Sequence, residues 1–320
     1  MAPISTRSER TLNCQDRQPA VLLESASSAV IIANEQANWG SGRVKVRRAA
    51  NFLQERGYSF SLFNADYPGH AKELAATAAA QKAGTIVIIG GDGTIDEVIN
   101  GLFASKQDHM PRVGVIPAGS SNDFSKSLGI PQRLEDACLT IMRASTRDVD
   151  VGQAGPQYFC SASCLGYFAE VAARSLTMRG FGGSLRYILP AFGVIREMAA
   201  GWEMTVQADG RVFHGNYAVL LVGNAPRFGG LTMLPRARPD DGLLDCLLIE
   251  MASKWEALQL IPLIYCKAME RHRKVTRFQA TSLTVTLDHP TRLCNDGEVC
   301  PGSFESLDYR VLPRRLRVIC

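Results

Sequence analysis

The sequence lacks three features that would assign a protein to a class at once: a long apolar run, closely spaced cysteine pairs and a large net charge. Because no apolar run reaches the length of a membrane-spanning helix and nothing resembles a signal peptide, we expect a cytoplasmic protein with at most peripheral membrane contact. The nine cysteines show no CxxC spacing and the five histidines are scattered, which argues against disulfides and structural zinc. A net charge of only +4 gives no reason to expect a nucleic acid partner.

The composition is that of an ordinary folded protein. The 320 residues are 46% hydrophobic and 21% charged, so the chain is long enough to bury two hydrophobic cores. Residues 1–28 mix Ser, Arg, Gln and Pro with only a brief apolar patch, and we expect them to form a mobile extension.

The stretch over residues 85–101 is the first that indicates chemistry. A β-branched run over 85–89 predicts a buried parallel strand, and the run stops at the turn Gly90–Gly93. Apolar residues then follow helical spacing, and Thr94 with Glu97 forms a capping-box pattern that predicts the helix start. A strand, a glycine turn and a capped helix bring backbone N–H groups and the positive end of a helix dipole to one spot, which suits phosphate. The candidate cofactor-binding residues are Gly90, Gly91, Asp92, Gly93, Thr94 and Glu97.

A second strand, turn and helix follow directly. Arg112–Ile116 predicts a strand, the turn over 117–121 contains Gly119, and a short helix follows it. Gly90 and Gly119 lie about 30 residues apart, which is the size of one βαβ unit, so the two turns should meet at one edge of a sheet. The candidate cofactor-binding residues of this turn are Gly119, Ser120, Asn122 and Asp123.

A third polar loop follows the first predicted strand, Ala29–Ala33. It contains Asn34, Asn38 and Gly42, and open α/β sheets bind ligands in loops at the carboxyl ends of their strands. Either asparagine fits a nucleotide-binding role, and an ordinary connecting loop explains each residue equally well.

The pattern changes after Arg147. Short alternating segments separated by Gly, Asp and Pro turns replace the α/β units. We therefore predict a fold of the α/β plus all-β class. An N-terminal open parallel α/β nucleotide-binding domain would cover 29–147, and a C-terminal β-sandwich domain would cover 148–320, with room for the last residues to return to the first domain. The cleft between the two would hold the site.

Two acidic turns lie in the β-rich half. Asp-Asp-Gly over 240–242 is turn chemistry in most proteins, although a carboxylate beside exposed turn carbonyls also suits Mg²⁺. Asn-Asp-Gly-Glu over 295–298 predicts a hairpin, because Asp-Gly between strands is the strongest short hairpin signal. On local grounds alone, either turn can be purely structural.

Several of these strings resemble the diacylglycerol kinase catalytic family, which includes bacterial lipid kinases and sphingosine kinases. Gly-Gly-Asp-Gly-Thr-x-x-Glu-Val-x-Asn-Gly over 90–101 is similar to the family's nucleotide-binding signature, with Asp96 where lipid kinases usually have asparagine. Pro-x-Gly-Ser-x-Asn-Asp-Phe over 117–124 resembles its second motif, with Ser120 in place of threonine. Gly-His-Ala over 69–71 also matches, whereas the proline after the first asparagine is missing.

The resemblance implies an ATP-dependent lipid kinase that transfers the γ-phosphoryl group of ATP to a hydroxyl of a lipid such as diacylglycerol. Asp296 and Glu298 would be the carboxylates that deprotonate this hydroxyl, and the assignment between them is open. A structural Mg²⁺ would be bound by Asp241 and the main-chain carbonyls of Arg238 and Leu243. The expected partners are ATP, Mg²⁺ and a lipid at a membrane surface, and the resemblance leaves room for a homodimer.

Two other functions fit parts of the pattern. An NAD kinase shares the first half of the glycine signature but should carry an Asn-Glu dipeptide well after the turn. The only such dipeptide here, Asn34-Glu35, lies upstream. A non-catalytic lipid- or nucleotide-binding protein would have no need for Asp92, Asp296 and Glu298.

Overall fold

A computed structural model describes residues 29–37, 42–105, 109–176, 178 and 185–320. The expected mobile extension over 1–28 and the candidate Asn38 lie outside these residues. Within the described ranges, none of the helices combines the length and the apolar character needed to cross a membrane.

The described residues form helices and strands in an order that changes character near the middle of the chain. The strands are β1 (Ala29–Ala33), β2 (Phe60–Asn64), β3 (Thr85–Gly90), β4 (Arg112–Pro117), β5 (Thr146–Ala154), β6 (Gln157–Phe159), β7 (Ala162–Gly166), β8 (Trp202–Ala208), β9 (Arg211–Gly223), β10 (Arg227–Phe228), β11 (Leu231–Thr232), β12 (Leu244–Glu250), β13 (Val275–Ala280), β14 (Ser282–Thr291), β15 (Leu293–Asn295), β16 (Glu298–Val299) and β17 (Phe304–Ile319). The helices are α1 (Gly42–Glu55), α2 (His70–Ala80), α3 (Asp92–Ala104), α4 (Asp123–Ser127), α5 (Leu134–Arg143), α6 (Tyr167–Ser175), α7 (Leu185–Glu197) and α8 (Lys254–Tyr265), with a 3₁₀ turn at Met269–Arg271.

The first half is a parallel sheet with the strand order β2-β1-β3-β4. Every residue of β1 and β3 is buried, as expected for strands covered by helices on both faces. Side chains alternate along β3: Ile86 and Ile88 pack with α2 and α3, while Val87 and Ile89 pack with α1 and α5. The predicted parallel α/β fold of this half is confirmed.

The second half is a β-sandwich-like unit whose strands pair antiparallel, with α6, α7 and α8 on one side. Its last strand, β17, pairs antiparallel with β14 and β5 and then reaches the first half. There Val318 and Ile319 pair parallel with Val113 and Gly114 of β4. β17 therefore joins the strands of both halves into one continuous sheet and links the two cores.

Strand register places the two glycine turns side by side. Gly90 at the end of β3 pairs with Pro117 at the end of β4. The chain leaves both strands at the same edge of the sheet, so the turns before α3 and α4 are neighbours in space.

Candidate functional site

A cleft of about 530 Å³ opens at the carboxyl edge of β1, β3 and β4, and residues of both halves line it. Of the predicted site residues, those lining the cleft are Asn34, Gly91, Asp92, Gly93, Thr94, Glu97, Gly119, Ser120, Asp123, Asp296 and Glu298. Gly42, Gly90 and Asn122 lie behind this lining. The predicted metal ligands Arg238, Asp241 and Leu243 lie away from it.

The two glycine turns touch each other through their backbones. A Cβ on Gly91 would lie 2.9 Å from the Cα of Gly119, and a Cβ on Gly119 would lie 2.5 Å from the Cα of Gly91. Asn122 holds the second turn, because its Oδ1 accepts from the Gly119 N–H at 2.9 Å and its Nδ2 donates to the Gly119 carbonyl at 3.2 Å. A side chain at either glycine would therefore separate the turns.

Asn34 joins the first loop to the start of α3. Its Nδ2 donates to Thr94 Oγ1 at 3.3 Å, and its Oδ1 accepts from the Gln36 N–H at 2.9 Å. Gly42 supports this loop, since a Cβ there would lie 2.7 Å from the Asn34 carbonyl oxygen. Gly90 leaves room for Thr94, because a Cβ on Gly90 would lie 2.6 Å from the Cβ of Thr94.

The predicted capping box at Thr94 and Glu97 is wrong. Helix α3 begins at Asp92, two residues earlier, and its N-cap is Gly91, which makes no side-chain cap. The Glu97 carboxylate instead accepts hydrogen bonds from the N–H groups of Gly69 (2.8 Å) and Ala71 (3.1 Å) at the start of α2. Glu97 therefore fixes α2 against α3, and the N-terminal end of α3 lines the cleft with Asp92, Gly93 and Thr94.

The Asp-Gly hairpin predicted at 296–297 is confirmed. Asp296 (φ 50°) and Gly297 (φ 93°) form a two-residue turn between β15 and β16, with Asn295 opposite Glu298. Both central residues have positive φ, as type I′ hairpin turns require.

The Asp296 carboxylate is anchored by three backbone N–H groups of the loop between β6 and β7. Oδ2 accepts from Cys160 at 2.7 Å, and Oδ1 accepts from Ser161 at 2.7 Å and Ala162 at 2.9 Å. Oδ1 has no lone pair left, whereas Oδ2 retains one for another hydrogen.

Glu298 lies directly over the start of α3. A Cβ on Gly93 would lie 2.6 Å from Glu298 Oε1 and 3.2 Å from its Cδ. The φ of Gly93 is not in the left-handed region, so its lack of a side chain matters for this contact rather than for its backbone angles. The hairpin of the second half thus meets the glycine turn of the first.

The cleft concentrates carboxyl groups whose pKa values are raised. Burial, and then the charge of Asp123, raises the pKa of Asp92 to about 7. Burial raises the pKa of Asp296 to about 6 although its three backbone hydrogen bonds act in the opposite direction. Burial and the carboxylates of Asp296 and Glu298 hold the pKa of Asp96 well above its ordinary value, and burial also raises that of Glu298. Such a site favours protons or cations.

Asp123 forms a link between the two halves. Its carboxylate accepts from Arg227 Nε at 3.2 Å and from the Gly230 N–H at 2.7 Å, both in the β10–β11 hairpin. Burial raises the pKa of the Asp123 carboxyl above its ordinary value, whereas the hydrogen bonds from Gly230 and Arg227 act in the opposite direction. Asp123 is therefore held in place by the second half rather than free in the cleft.

Sequence reasoning missed several cleft residues, among them Asp96, Tyr67, Arg186 and Tyr187. Asp96 lies one helical turn after Asp92, a spacing that could have indicated a shared face. Tyr67 lines the cleft and stacks on His70, with ring centroids 4.3 Å apart. Arg186 and Tyr187 come from α7, and no local signal connects that helix with the glycine turns.

The predicted metal turn has a donor set that fits a hard cation. Asp241 is exposed, and its Oδ1 accepts from the Leu243 N–H at 3.1 Å. Partial burial raises the pKa of Asp241, and the carboxylate of Asp150 adds to this while Arg238 opposes it. In the part of the chain that the structure describes, no three His, Cys, Asp or Glu side chains converge as a metal site. A cation at this turn would therefore rely on main-chain oxygens.

The fold combines a parallel α/β half with a β-sandwich-like half, and residues of both line one cleft. Comparison with known proteins identifies the family. Residues 28–154 match the family model described as the diacylglycerol kinase catalytic domain, and residues 161–320 match the one described as the YegS C-terminal NAD kinase beta sandwich-like domain. The chain belongs to the diacylglycerol kinase catalytic family, a family of kinases.

Named relatives and solved structures agree with this membership. A diacylglycerol kinase of Bacillus subtilis (strain 168) is 30% identical over 264 residues, which cover 80% of this chain and 85% of the relative. A diacylglycerol kinase of Staphylococcus saprophyticus is 28% identical, covering 81% and 86%. The crystal structure of a diacylglycerol kinase from Bacillus anthracis str. Sterne superposes with a TM-score of 0.71 at 21% identity, over 91% of this chain and 96% of that one, and confirms the fold.

Proposed function

We propose that the protein is an ATP-dependent lipid kinase that transfers the γ-phosphoryl group of ATP to a hydroxyl of a lipid such as diacylglycerol. The observation that carries this proposal is the contact of Glu298 with Gly93. It brings an acidic hairpin, suited to accept a proton, against a glycine turn suited to bind phosphate. Phosphoryl transfer needs this juxtaposition of acceptor and phosphate more than it needs covalent chemistry.

On the nucleotide side, Asp92, Gly93 and Ser120 would offer backbone N–H groups to the phosphates, with Ser120 adding a hydroxyl, whereas the Gly119 N–H is already bonded to Asn122. The amides of the first turn of α3 and its dipole favour the same anion. Asn34 and Tyr67 lie further along the same cleft and would contact the nucleoside.

The raised pKa values of Asp92 and Asp96 support a requirement for a divalent cation. ATP is itself anionic, and the cleft already carries an excess of carboxylates. A Mg²⁺ ion bound with ATP would supply the positive charge that these groups lack. The turn at Asp241, with the carbonyls of Arg238 and Leu243, would hold a second, structural Mg²⁺ away from the reaction.

On the acceptor side, we assign Asp296 as the base that takes the proton of the lipid hydroxyl. Its pKa of about 6 keeps it mostly ionised at neutral pH yet basic enough to be useful, and one lone pair on Oδ2 stays available. Glu298 lies beside Gly93 of the glycine turn and would hold the hydroxyl in position. An apolar cavity of about 80 Å³, lined by residues such as Phe168 and Ile261, shares Tyr187 with the cleft and would contact the first part of an acyl chain.

The test is a phosphorylation assay with labelled ATP and the purified full-length chain. Diacylglycerol, phosphatidylglycerol, a sphingoid base and a polyprenol are offered in detergent micelles, and NAD is offered in solution. We expect label on diacylglycerol or another lipid hydroxyl. Label on NAD alone would identify an NAD kinase-like enzyme, and label on no acceptor would leave a binding protein.

A further inference from the structure

Helix α8 carries few polar side chains although it lies at the surface, and Lys254 and Gln259 are its exposed polar residues. Nine of the twelve residues of Lys254–Tyr265 are apolar, and Leu260 is the one residue of the helix that is fully buried. A helix exposed to water normally turns a polar face outward. A capping box at Ser253 and Glu256 defines its start, and its length is about 18 Å.

The neighbouring helix α7 adds exposed apolar side chains to the same region. Leu189 and Phe192 of α7 and Trp255 and Tyr265 of α8 are exposed, with Phe192 at 50% and Trp255 at 78%. We call these four residues the apolar face. The two helices run antiparallel, because Lys254 Nζ donates to the carbonyl at the C-terminal end of α7.

The apolar face is continuous with the proposed acceptor site. The apolar cavity lies between α6, α7 and α8, and its lining includes Ile188 of α7 beside Leu189 and Tyr265 of the face itself. Tyr187 lines both this cavity and the cleft that holds the glycine turns. A hydrophobic molecule at the apolar face would therefore be one side chain away from the acidic hairpin.

Cations border α8 at both ends. Lys254 precedes Trp255, and Lys267 follows Tyr265 by two residues; both lysines are exposed. The one carboxylate of the helix, Glu256, is already paired with Arg273 and Lys274. Aromatic side chains beside lysines at the ends of an apolar segment suit the boundary between acyl chains and anionic headgroups.

We propose that the apolar face docks on the surface of an anionic phospholipid bilayer and so places the entrance of the acceptor site at the membrane. This deepens the proposed function and rests on it, because a kinase of a bilayer lipid must reach that lipid. Helix α8 would lie in the plane of the headgroups, with Trp255 and Tyr265 at the depth of the interface.

The test is cosedimentation of the full chain with vesicles of phosphatidylcholine alone or mixed with phosphatidylglycerol. The wild type should bind the mixed vesicles more tightly, and Leu189→Ser/Phe192→Ser/Trp255→Ser should bind them at least about tenfold more weakly. Val212→Ser is the matched control, because Val212 is 65% exposed but lies on β9, away from α7 and α8. This variant should bind as the wild type does.

Fluorescence gives a second measurement on the same samples. The emission of exposed Trp255 should shift to shorter wavelength when mixed vesicles are added, and Trp255→Phe should lose this shift. Wild-type protein that fails to bind vesicles, or a triple variant that binds them normally, would overturn the proposal. If the wild type is a dimer and the triple variant is a monomer, the apolar face is instead an interface with a second copy of the chain.

Vesicle binding needs neither ATP nor turnover, so it stands apart from the kinase assay. A short-chain diacylglycerol dissolved as monomers should be phosphorylated by the triple variant at the wild-type rate, while phosphorylation of diacylglycerol in mixed vesicles should fall with binding. If no lipid is phosphorylated at all, the proposed function fails while the vesicle result still decides the docking proposal.

Discussion

Substituting Asp296 by Asn should slow catalysis and weaken the fold, and the structure separates the two effects. The carboxylate accepts from Cys160, Ser161 and Ala162, whereas an amide has a single acceptor oxygen. At least one of the three N–H groups would then face an NH₂ group. Because the lost hydrogen bond involved a charged acceptor, we expect a loss of about 1.5–3 kcal/mol in the free energy of unfolding.

The catalytic effect should be larger. A positioned base that takes the proton of a hydroxyl typically contributes ~10²–10⁴ in rate, so kcat should fall by roughly that factor in Asp296→Asn. ATP affinity should hardly change, since the residue faces the acceptor. Steady-state rates with diacylglycerol in micelles, ATP binding by calorimetry and urea unfolding measure the three quantities on one preparation.

A second Asp-Gly hairpin supplies the matched control. Asp209 and Gly210 join β8 and β9 with positive φ values of 44° and 82°, and the Asp209 carboxylate accepts from the N–H groups of Thr281 and Ser282. Asp209 does not line the cleft, so Asp209→Asn should lower stability without lowering kcat. An equal fall of kcat in this control would mean that activity follows stability rather than a base.

Glu298→Gln tests whether Asp296 or Glu298 of the acidic hairpin is the proposed base. This change keeps the shape of a side chain that lies beside Gly93, and it should reduce kcat less than Asp296→Asn does. Full activity of Asp296→Asn with a strong loss in Glu298→Gln would move the base to Glu298. Full activity in both variants would reduce the hairpin to a structural turn.

Three further changes test other parts of the cleft. Gly93→Ala places a methyl group 2.6 Å from Glu298 Oε1 and should lower kcat about 10²-fold. Gly84→Ala is the control and should leave kcat unchanged, because nothing lies within 4 Å of its new Cβ. A change in ATP affinity alone in Gly93→Ala would mean that the methyl group blocks phosphate. The pKa of Asp92 is raised from 3.8 to about 7 in the folded protein, so the ligand-free protein binds more protons than its unfolded chain between these values. The melting temperature should therefore rise as the pH is lowered from 7.5 to 5.5, and this rise should be smaller in Asp92→Asn. Equal profiles of melting temperature against pH for the wild type and Asp92→Asn would refute this prediction. Asp241→Ala should abolish a Mg²⁺-dependent gain in melting temperature, and a wild type that does not respond to Mg²⁺ would contradict the metal turn.

The parallel strands could be predicted almost residue by residue because their signal is local. Strand β1 covers Ala29–Ala33 as expected, and β3 extends only to Gly90, one residue past the apolar run. Strands buried on both faces are continuous apolar runs, and glycine ends them. The start of α3 was misplaced because Glu97 bonds to N–H groups 26 and 28 residues away, which no local capping rule includes.

The hairpins show where local reasoning ends. Asp209-Gly210 and Asp296-Gly297 share a dipeptide, a two-residue turn and a carboxylate that accepts backbone hydrogen bonds. Only the pairing of β15 with β7 carries the second hairpin to the cleft. The resemblance to the kinase family indicated that Asp296-Gly297 belongs to the site, whereas the sequence around the two turns does not distinguish them. Tyr187 was missed for the same reason, since its helix is positioned by tertiary packing.

The glycine signature over residues 90–101 divides into two halves with different physical roles. Its first half, through Thr94, lines or supports the cleft. In its second half Asp96 and Glu97 still line the cleft, while the last residues hold the helix. The Asn100 amide bonds to both the N–H (2.9 Å) and the carbonyl (3.0 Å) of Tyr158, and a Cβ on Gly101 would lie 2.2 Å from the Lys72 carbonyl oxygen. Tyr158 belongs to β6, directly before the loop whose amides hold Asp296. Helix α3, which begins at the proposed phosphate-binding turn, is therefore tied through β6 to the residue that we assign as the base. A displacement of α3 would move the two proposed partners of the reaction together.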